Sequence, residues 1–203
     1  MSKSTAKKSL HVLVMAGGTG GHVFPALAVA DELRARGAQI NWLGTARGIE
    51  NRVVPAAAIP LHLIRVEGVR GRGLVGLLKA PFLIACAVWQ SLQIIRRIKP
   101  DVVIGFGGFA SGPGGLAARM TRTPLVIHEQ NAVAGTTNRL LRRIATRVLA
   151  AFPNAFSGTD QRDVLLVGNP VRQAIQQLQP ASARYQTRLE QQLPLRLLVL
   201  GGS

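Results

Sequence analysis

The sequence predicts an α/β fold built on a mostly parallel sheet, and three observations carry that prediction. Short β-branched and Leu-rich runs alternate with longer helical patterns, the strand runs are apolar on both faces, and two of them end in glycine-rich loops. Strands apolar on both faces need cover on both sides, which helices between parallel strands supply.

The expected strands are His11–Ala16, Gln39–Leu43, Leu61–Arg65, Asp101–Gly105, Leu125–Ile127, Arg147–Ala150 and Val164–Val167. Helical patterns cover Pro25–Arg36, roughly Leu74–Ile98, Gly112–Met120 and Thr136–Ile144. Pro25 suits the first turn of its helix, and Gly37 stands where a helix C-cap glycine belongs. The Gln-rich stretch Gln173–Gln192, with Pro180 and Pro194 near its ends, reads as a linker. Leu195–Leu200 has a buried-strand pattern and feeds Gly201-Gly202-Ser203, a turn that ordinarily opens a helix and a further βα unit. The expected organisation is a domain over 1–172, a linker over 173–194, and the first strand of a severed second domain over 195–203.

Composition narrows the function classes. At 203 residues the chain can bury a real core, and 47% apolar residues against 17% charged exclude a disordered basic tail. Twenty-five Lys+Arg, twenty of them Arg, oppose nine acids, and the resulting +16 calls for an anionic partner. Lone Cys86 excludes a disulfide framework, and with four scattered histidines it gives no Cys/His zinc cluster, so no metal is expected. The N-terminal apolar run ends at Ala16 before Gly17-Gly18, which reads as a strand rather than a secretory segment. No uncharged apolar run reaches the ~18 residues of a spanning helix, so a soluble, cytoplasmic protein is expected.

The first glycine loop is Ala16-Gly17-Gly18-Thr19-Gly20-Gly21-His22. Its glycines permit close approach of a ligand, and the following helix offers unpaired N–H groups to an anion. It is no Walker A loop, since no Lys-Ser/Thr follows, and Val23 stands where the dinucleotide fingerprint has its third glycine. The second loop, Gly105 to Gly115, carries Gly107, Gly108, Phe109 and Ser111. Two such loops after parallel strands fall at one carboxyl edge, where open α/β sheets bind ligands. His22, on the first helical turn, feels a positive helix end that favours the neutral imidazole of a general base; a capping or packing role is the alternative. His11 and His62 fall within strands and read as structural. In His128-Glu129-Gln130-Asn131, just past a strand end, Glu129 and Asn131 could bind hydroxyls or an amide, or form an ordinary loop.

Between Arg65 and Lys99, seven basic residues and one acid, Glu67, flank an apolar stretch that is uncharged from Ala80 to Ser91. Leu77, Leu78, Lys79, Phe82 and Trp89 would suit an interfacial segment on anionic lipid; an outer-layer core helix with a solvated basic rim is the other reading. Cys86 there reads as buried filler. Aromatics at 4% and no zinc-finger or RNP signature argue against a nucleic-acid partner.

The strings VMAGGTGGHVFPALAVA, NWLGT, GFGGFASGPGGLAA, PLVIHEQNAVAG, VGNPVR and LLVLGGS together resemble the MurG family of bacterial peptidoglycan N-acetylglucosaminyltransferases, across essentially the whole chain. The resemblance implies the N-terminal, acceptor-side half of a GT-B enzyme with two Rossmann-like domains. It implies inverting, metal-independent transfer of GlcNAc from UDP-GlcNAc to the muramoyl 4-hydroxyl of lipid I, giving lipid II. No cofactor is implied, and no Asp-x-Asp triplet occurs. Helix dipoles, backbone N–H groups and basic side chains would then stabilise the departing diphosphate. His22 becomes the implied base and Glu129 a second carboxylate. Thr19, Gly20, Gly21, Asn131, Arg172 and Ser203 match donor-contacting positions. Gly17, Gly18, Gly107, Gly108, Phe109 and Ser111 would form the acceptor and diphosphate loops. The apolar and basic stretch becomes a patch against the anionic cytoplasmic face of the inner membrane, where the enzyme would be peripheral. The family commonly has Gly-Gly-Tyr in its second loop; Phe109 keeps the ring without the hydroxyl.

Two other readings remain at this level. An NAD(P)-type dinucleotide domain is disfavoured by the imperfect fingerprint and by Gly44-Thr45-Ala46, without an acid, ending the second strand. A non-enzymatic membrane-binding module is the second.

Overall fold

The computed structural model describes residues 9–66, 73–157 and 163–194. The strands are β1 (His11–Met15), β2 (Gln39–Thr45), β3 (Leu61–Ile64), β4 (Val102–Gly105), β5 (Leu125–Glu129), β6 (Arg147–Ala150) and β7 (Val164–Leu166). All neighbours pair in parallel, in the order β3-β2-β1-β4-β5-β6-β7. The helices are α1 (Gly20–Ala35), α2 (Glu50–Ala56), α3 (Gly73–Ile98), α4 (Ser111–Met120), α5 (Thr136–Leu141), α6 (Gln173–Gln176) and α7 (Ala181–Glu190).

Alternation along the strands divides the core into two layers. Leu13 and Met15 of β1 join Leu43, Val103, Leu125 and Ile127 beneath Ala87, Leu92 and Ile95 of α3 and Ala117 of α4. Val12 and Val14 point the other way and pack with Trp42 against Val23, Ala26 and Ala30 of α1 and Val54 of α2. Each strand of the centre therefore feeds both layers, which is why its sequence is apolar at every position. Trp42, fully buried, satisfies its indole N–H on the Ala16 carbonyl at 2.8 Å.

Four features depart from expectation. Helix α1 starts at Gly20 rather than Pro25, so Pro25 lies within the helix and leaves the Gly21 carbonyl, at an exposed residue, without its helical donor. Gly37, at φ +86°, does close the helix: its N–H reaches the Arg34 carbonyl and Ala38 N–H the Leu33 carbonyl, a Schellman ending. Helix α2, with only seven residues and Pro55, carried too little periodicity to be expected. Cys86 is partly exposed rather than buried. The linker-like stretch holds α6 and α7, largely exposed helices that its composition tolerates. Leu195–Leu200 and Ser203 lie outside the described residues, as do the side chains of Leu77, Leu78 and Lys79 on α3.

Candidate active site at the strand switch point

Strands β1 and β4 are adjacent, and the sheet grows outward from them in opposite directions. Chain segments leaving their carboxyl ends therefore diverge and open a crevice between them. The loop from Ala16 to Thr19 leads into α1 on one side; the loop from Phe106 to Ala110 leads into α4 on the other. The two loops meet backbone to backbone. Gly108 has φ +81°, and a Cβ there would fall on the Gly17 carbonyl oxygen, well inside van der Waals contact. Gly107, at φ +95°, faces the His22 ring, where a Cβ would lie 3.0 Å from Cε1. Both positions combine a left-handed backbone with no space for a side chain.

A carboxylate that the sequence did not single out holds the first loop from below. Glu50, fully buried at the start of α2, accepts Gly18 N–H at 3.0 Å, Thr45 N–H at 2.9 Å and Thr45 Oγ1–H at 2.9 Å. It fits because glycines surround it: a Cβ on Gly17 would stand 2.6 Å from its Oε1, and one on Gly44 2.8 Å from its Cγ. The only hint in the sequence is an isolated acid shortly after a strand ending in glycine and threonine. Its burial also counts against a dinucleotide site, because the nearest acid beyond β2 is bonded to backbone rather than open to a ribose.

The strand end His128-Glu129 lies inside β5, two residues beyond the expected limit. Glu129, buried, has both oxygens engaged. Oε1 accepts the Asn131 N–H at 3.0 Å and Asn131 Nδ2 at 2.9 Å, while Oε2 accepts Gly135 N–H at 3.1 Å and Asn138 Nδ2 at 2.9 Å. Four donors on one carboxylate shape the loop from 130 to 138. Asn138, also buried, keeps its Oδ1 without a partner. His22 Nδ1 lies 3.3 Å from Gln130 Oε1, and Gln130 Nε2 donates to the His128 carbonyl at 3.0 Å. His128 donates from Nε2 to the Gly168 carbonyl at 3.1 Å. Burial lowers its pKa below the usual histidine value, an effect partly opposed by that carbonyl and by Glu129.

These groups surround a cleft of about 350 Å³ lined by Gly17, Gly18, Thr19, His22, Gly107, Gly108, Phe109, Glu129, Gly135, Thr136, Thr137 and Asn138. The expected base, the second carboxylate and both glycine loops thus converge. Ser111 does not face the cleft. It is fully buried, and its hydroxyl lies 3.0 Å from the Met15 carbonyl and 2.7 Å from that of Gly107, tying the second loop to β1. Asn131 is exposed beside the cleft, held through its amide nitrogen. Arg172 lies elsewhere, with its guanidinium 4.4 Å over the Phe24 ring and along a groove formed with Val29 and Leu33 of α1. Among the described residues, no three His, Cys, Asp or Glu side chains are placed to share a metal ion.

A second, mainly apolar groove of about 510 Å³ adjoins the cleft and shares Phe109, Thr136 and Thr137 with it. Ile84, Leu116 and Leu140 line its walls, and Arg143 contributes a cation. On α3, Phe82 is 71% and Trp89 61% exposed. Residues 81–85 of this helix are all exposed. Among the described residues, no helix is long and apolar enough to cross a membrane.

Comparison with known proteins agrees with this architecture. The profile of the glycosyltransferase family 28 N-terminal domain matches residues 12–150. A UDP-N-acetylglucosamine--N-acetylmuramyl-(pentapeptide) pyrophosphoryl-undecaprenol N-acetylglucosamine transferase of Cellvibrio japonicus is 70% identical over 196 residues, covering 97% of this chain and 53% of that protein. The protein of the same name from Chromohalobacter salexigens is 59% identical over 192 residues, covering 95% of this chain and 51% of its own length. The crystal structure of Acinetobacter baumannii MurG superposes with a TM-score of 0.70 at 46% identity, covering 81% of this chain and 47% of that one. A Neisseria meningitidis UDP-GlcNAc 2-epimerase, at 17% identity and TM-score 0.59, shares the fold alone. The chain spans about half the length of the curated relatives it matches. With a family profile over most of its length and a seven-stranded parallel sheet, the chain belongs to glycosyltransferase family 28, whose N-terminal, Rossmann-like GT-B half it forms.

Proposed function

We propose that this chain is the acceptor-side half of an inverting transferase that moves GlcNAc from UDP-GlcNAc to the muramoyl 4-hydroxyl of lipid I. The observation that carries the reading is the closure of two glycine loops against each other beside His22, at the switch point of the sheet. The surface so formed is small and rich in backbone, with N–H groups at the start of α1 suited to a diphosphate. His22 takes the proton of the attacking hydroxyl. Thr19, Gly20 and Gly21, at the start of α1, offer N–H groups and the positive helix end to negative charge. Glu129 acts by shaping the acceptor loop. Asn131, Arg172 and Ser203 are assigned to the donor, Arg172 requiring release from Phe24 to reach it. The organisation is a domain over 1–172, a linker over 173–194 and the start of a donor-binding domain over 195–203.

The apolar groove that opens from the cleft accommodates the first isoprene units of a polyprenyl diphosphate, and the exposed face of α3 lies on the membrane. With +16 overall, the chain suits the anionic inner leaflet, peripherally bound. The test is transfer of radiolabelled GlcNAc to a lipid I analogue by a full-length protein containing these residues. His22→Ala is expected to lower turnover by about 100-fold or more. A near-normal rate removes His22 as base, and absence of transfer by the unaltered protein overturns the reading.

A further inference from the structure

We infer that Gln130 is a positioning residue that fixes the tautomer of His22, so that Nε2 is the nitrogen able to accept a proton. This rests on the transferase reading for its chemical purpose, but its geometry stands alone. Gln130 is only 4% exposed and does not line the cleft, whereas His22 does. An amide can turn either end toward a neighbour, and the orientation here is set by the other side. The His128 carbonyl, 3.0 Å from the terminal nitrogen, can only accept, so that end must be the NH₂. Oε1 is then the atom 3.3 Å from His22 Nδ1. A carbonyl oxygen cannot donate, so Nδ1 carries the hydrogen and Nε2 keeps its lone pair.

The ring cannot easily escape this arrangement. Its Cε1 and Nδ1 lie 3.0 and 3.1 Å from where a Cβ of Gly107 would be, so the second glycine loop forms one wall of its slot. The His128 carbonyl also accepts Asn138 Nδ2 at 3.1 Å, tying the acceptor that orients Gln130 to a buried side chain of the cleft. Among the described residues, no protein group bonds to Nε2. It is free for the acceptor hydroxyl.

In the transfer step, the hydroxyl proton passes to Nε2 and the hydroxyl oxygen forms a bond to the anomeric carbon. The bond from that carbon to the diphosphate oxygen breaks, and UDP leaves with the electron pair. The imidazolium formed still donates from Nδ1 to Gln130. A neutral amide thus does the orienting that a carboxylate does in a Ser-His-Asp triad.

The experiment is ¹⁵N NMR of histidine-labelled protein at a pH where His22 is neutral, with its signals assigned by their loss in His22→Gln. The unaltered protein is expected to show His22 protonated at Nδ1. Gln130→Met should shift it toward the mixture of tautomers seen in free histidine, whereas Gln130→Glu, which still offers an acceptor, should retain the Nδ1–H form. In the full-length enzyme, Gln130→Met should lower kcat about tenfold with KM little changed. Protonation at Nε2 in the unaltered protein, or the same tautomer in Gln130→Met, overturns the assignment, and the first measurement is made on the unaltered protein once His22→Gln has assigned its signals. An Nδ1–H His22 in a full-length protein that transfers no sugar would leave the assignment standing and sink the proposed function instead.

Discussion

Glu50 and Gly18 are 32 residues apart, yet the buried carboxylate of one accepts the backbone N–H of the other at 3.0 Å. That bond removes Gly18 from the donors available to a ligand and makes α2 the support of the first glycine loop. Glu50→Gln keeps one acceptor oxygen but turns an NH₂ toward backbone donors. A loss of about 3 kcal/mol is expected, read from urea unfolding midpoints at constant slope. Thr45→Val, which deletes only the hydroxyl donor, should cost about 1 kcal/mol by the same measurement. Equal losses for the two would show that Glu50 does not support the loop through Gly18.

Gly108→Ala tests the junction between the loops. The new methyl would have both a left-handed backbone and the Gly17 carbonyl against it, so the loops must separate. A destabilisation of about 2–3 kcal/mol is expected in a thermal or urea melt, with transfer activity of the full-length protein reduced at least about 100-fold. Gly135→Ala, with nothing within 4 Å of its Cβ, is the control and should be mild in the melt.

Acid sensitivity has a defined source. Burial holds the folded-state pKa of His128 below the usual histidine value, so the unfolded chain binds the extra proton first. Stability from the neutral ring is therefore complete above about pH 6.5 and is lost as pH falls through the lowered folded value. His62 is lowered too, by burial and by Arg97, so it adds to the same slope. His128→Gln should flatten stability against pH below 6.5 relative to the unaltered chain. An unchanged slope would place the acid sensitivity elsewhere.

The α3 face makes a prediction without a stability cost. Phe82→Ser together with Trp89→Ser should reduce co-sedimentation with anionic vesicles at low salt by about tenfold or more. Both side chains are mostly exposed, so the melting temperature should stay within a degree or two. Unaltered vesicle binding would remove this face from the membrane contact.

The strands were legible as short β-branched and Leu-rich runs: central β1 is buried on both faces and reads as a continuous apolar run, while edge strand β7 keeps that composition although largely exposed. Their order was not, since nothing local distinguishes a β1 beside β4 from other arrangements. The contact of Gly17 with Gly108 follows from that order alone, so the sequence showed two loops at one edge but not that they touch. The start of α1 was misplaced because Gly20 and Gly21 are poor helix formers and Pro25 a good first-turn residue. Glu50 and Gln130 escaped notice for a different reason. Each acts on a partner far along the chain, and a lone acid or amide carries no periodicity. His22 and Glu129 were visible because they adjoin glycines and a strand end.

The backbone contact between Gly17 and Gly108 also limits how this cleft can diversify. Its floor is main chain on main chain, so no substitution there can deepen, narrow or recharge it without prising the loops apart. Side-chain variation remains open at the rim, at Phe109, Thr136 and Thr137, which line both the cleft and the apolar groove. A lineage can therefore retune the fit of a bound molecule in small steps at these three positions while the main-chain floor is inherited unchanged.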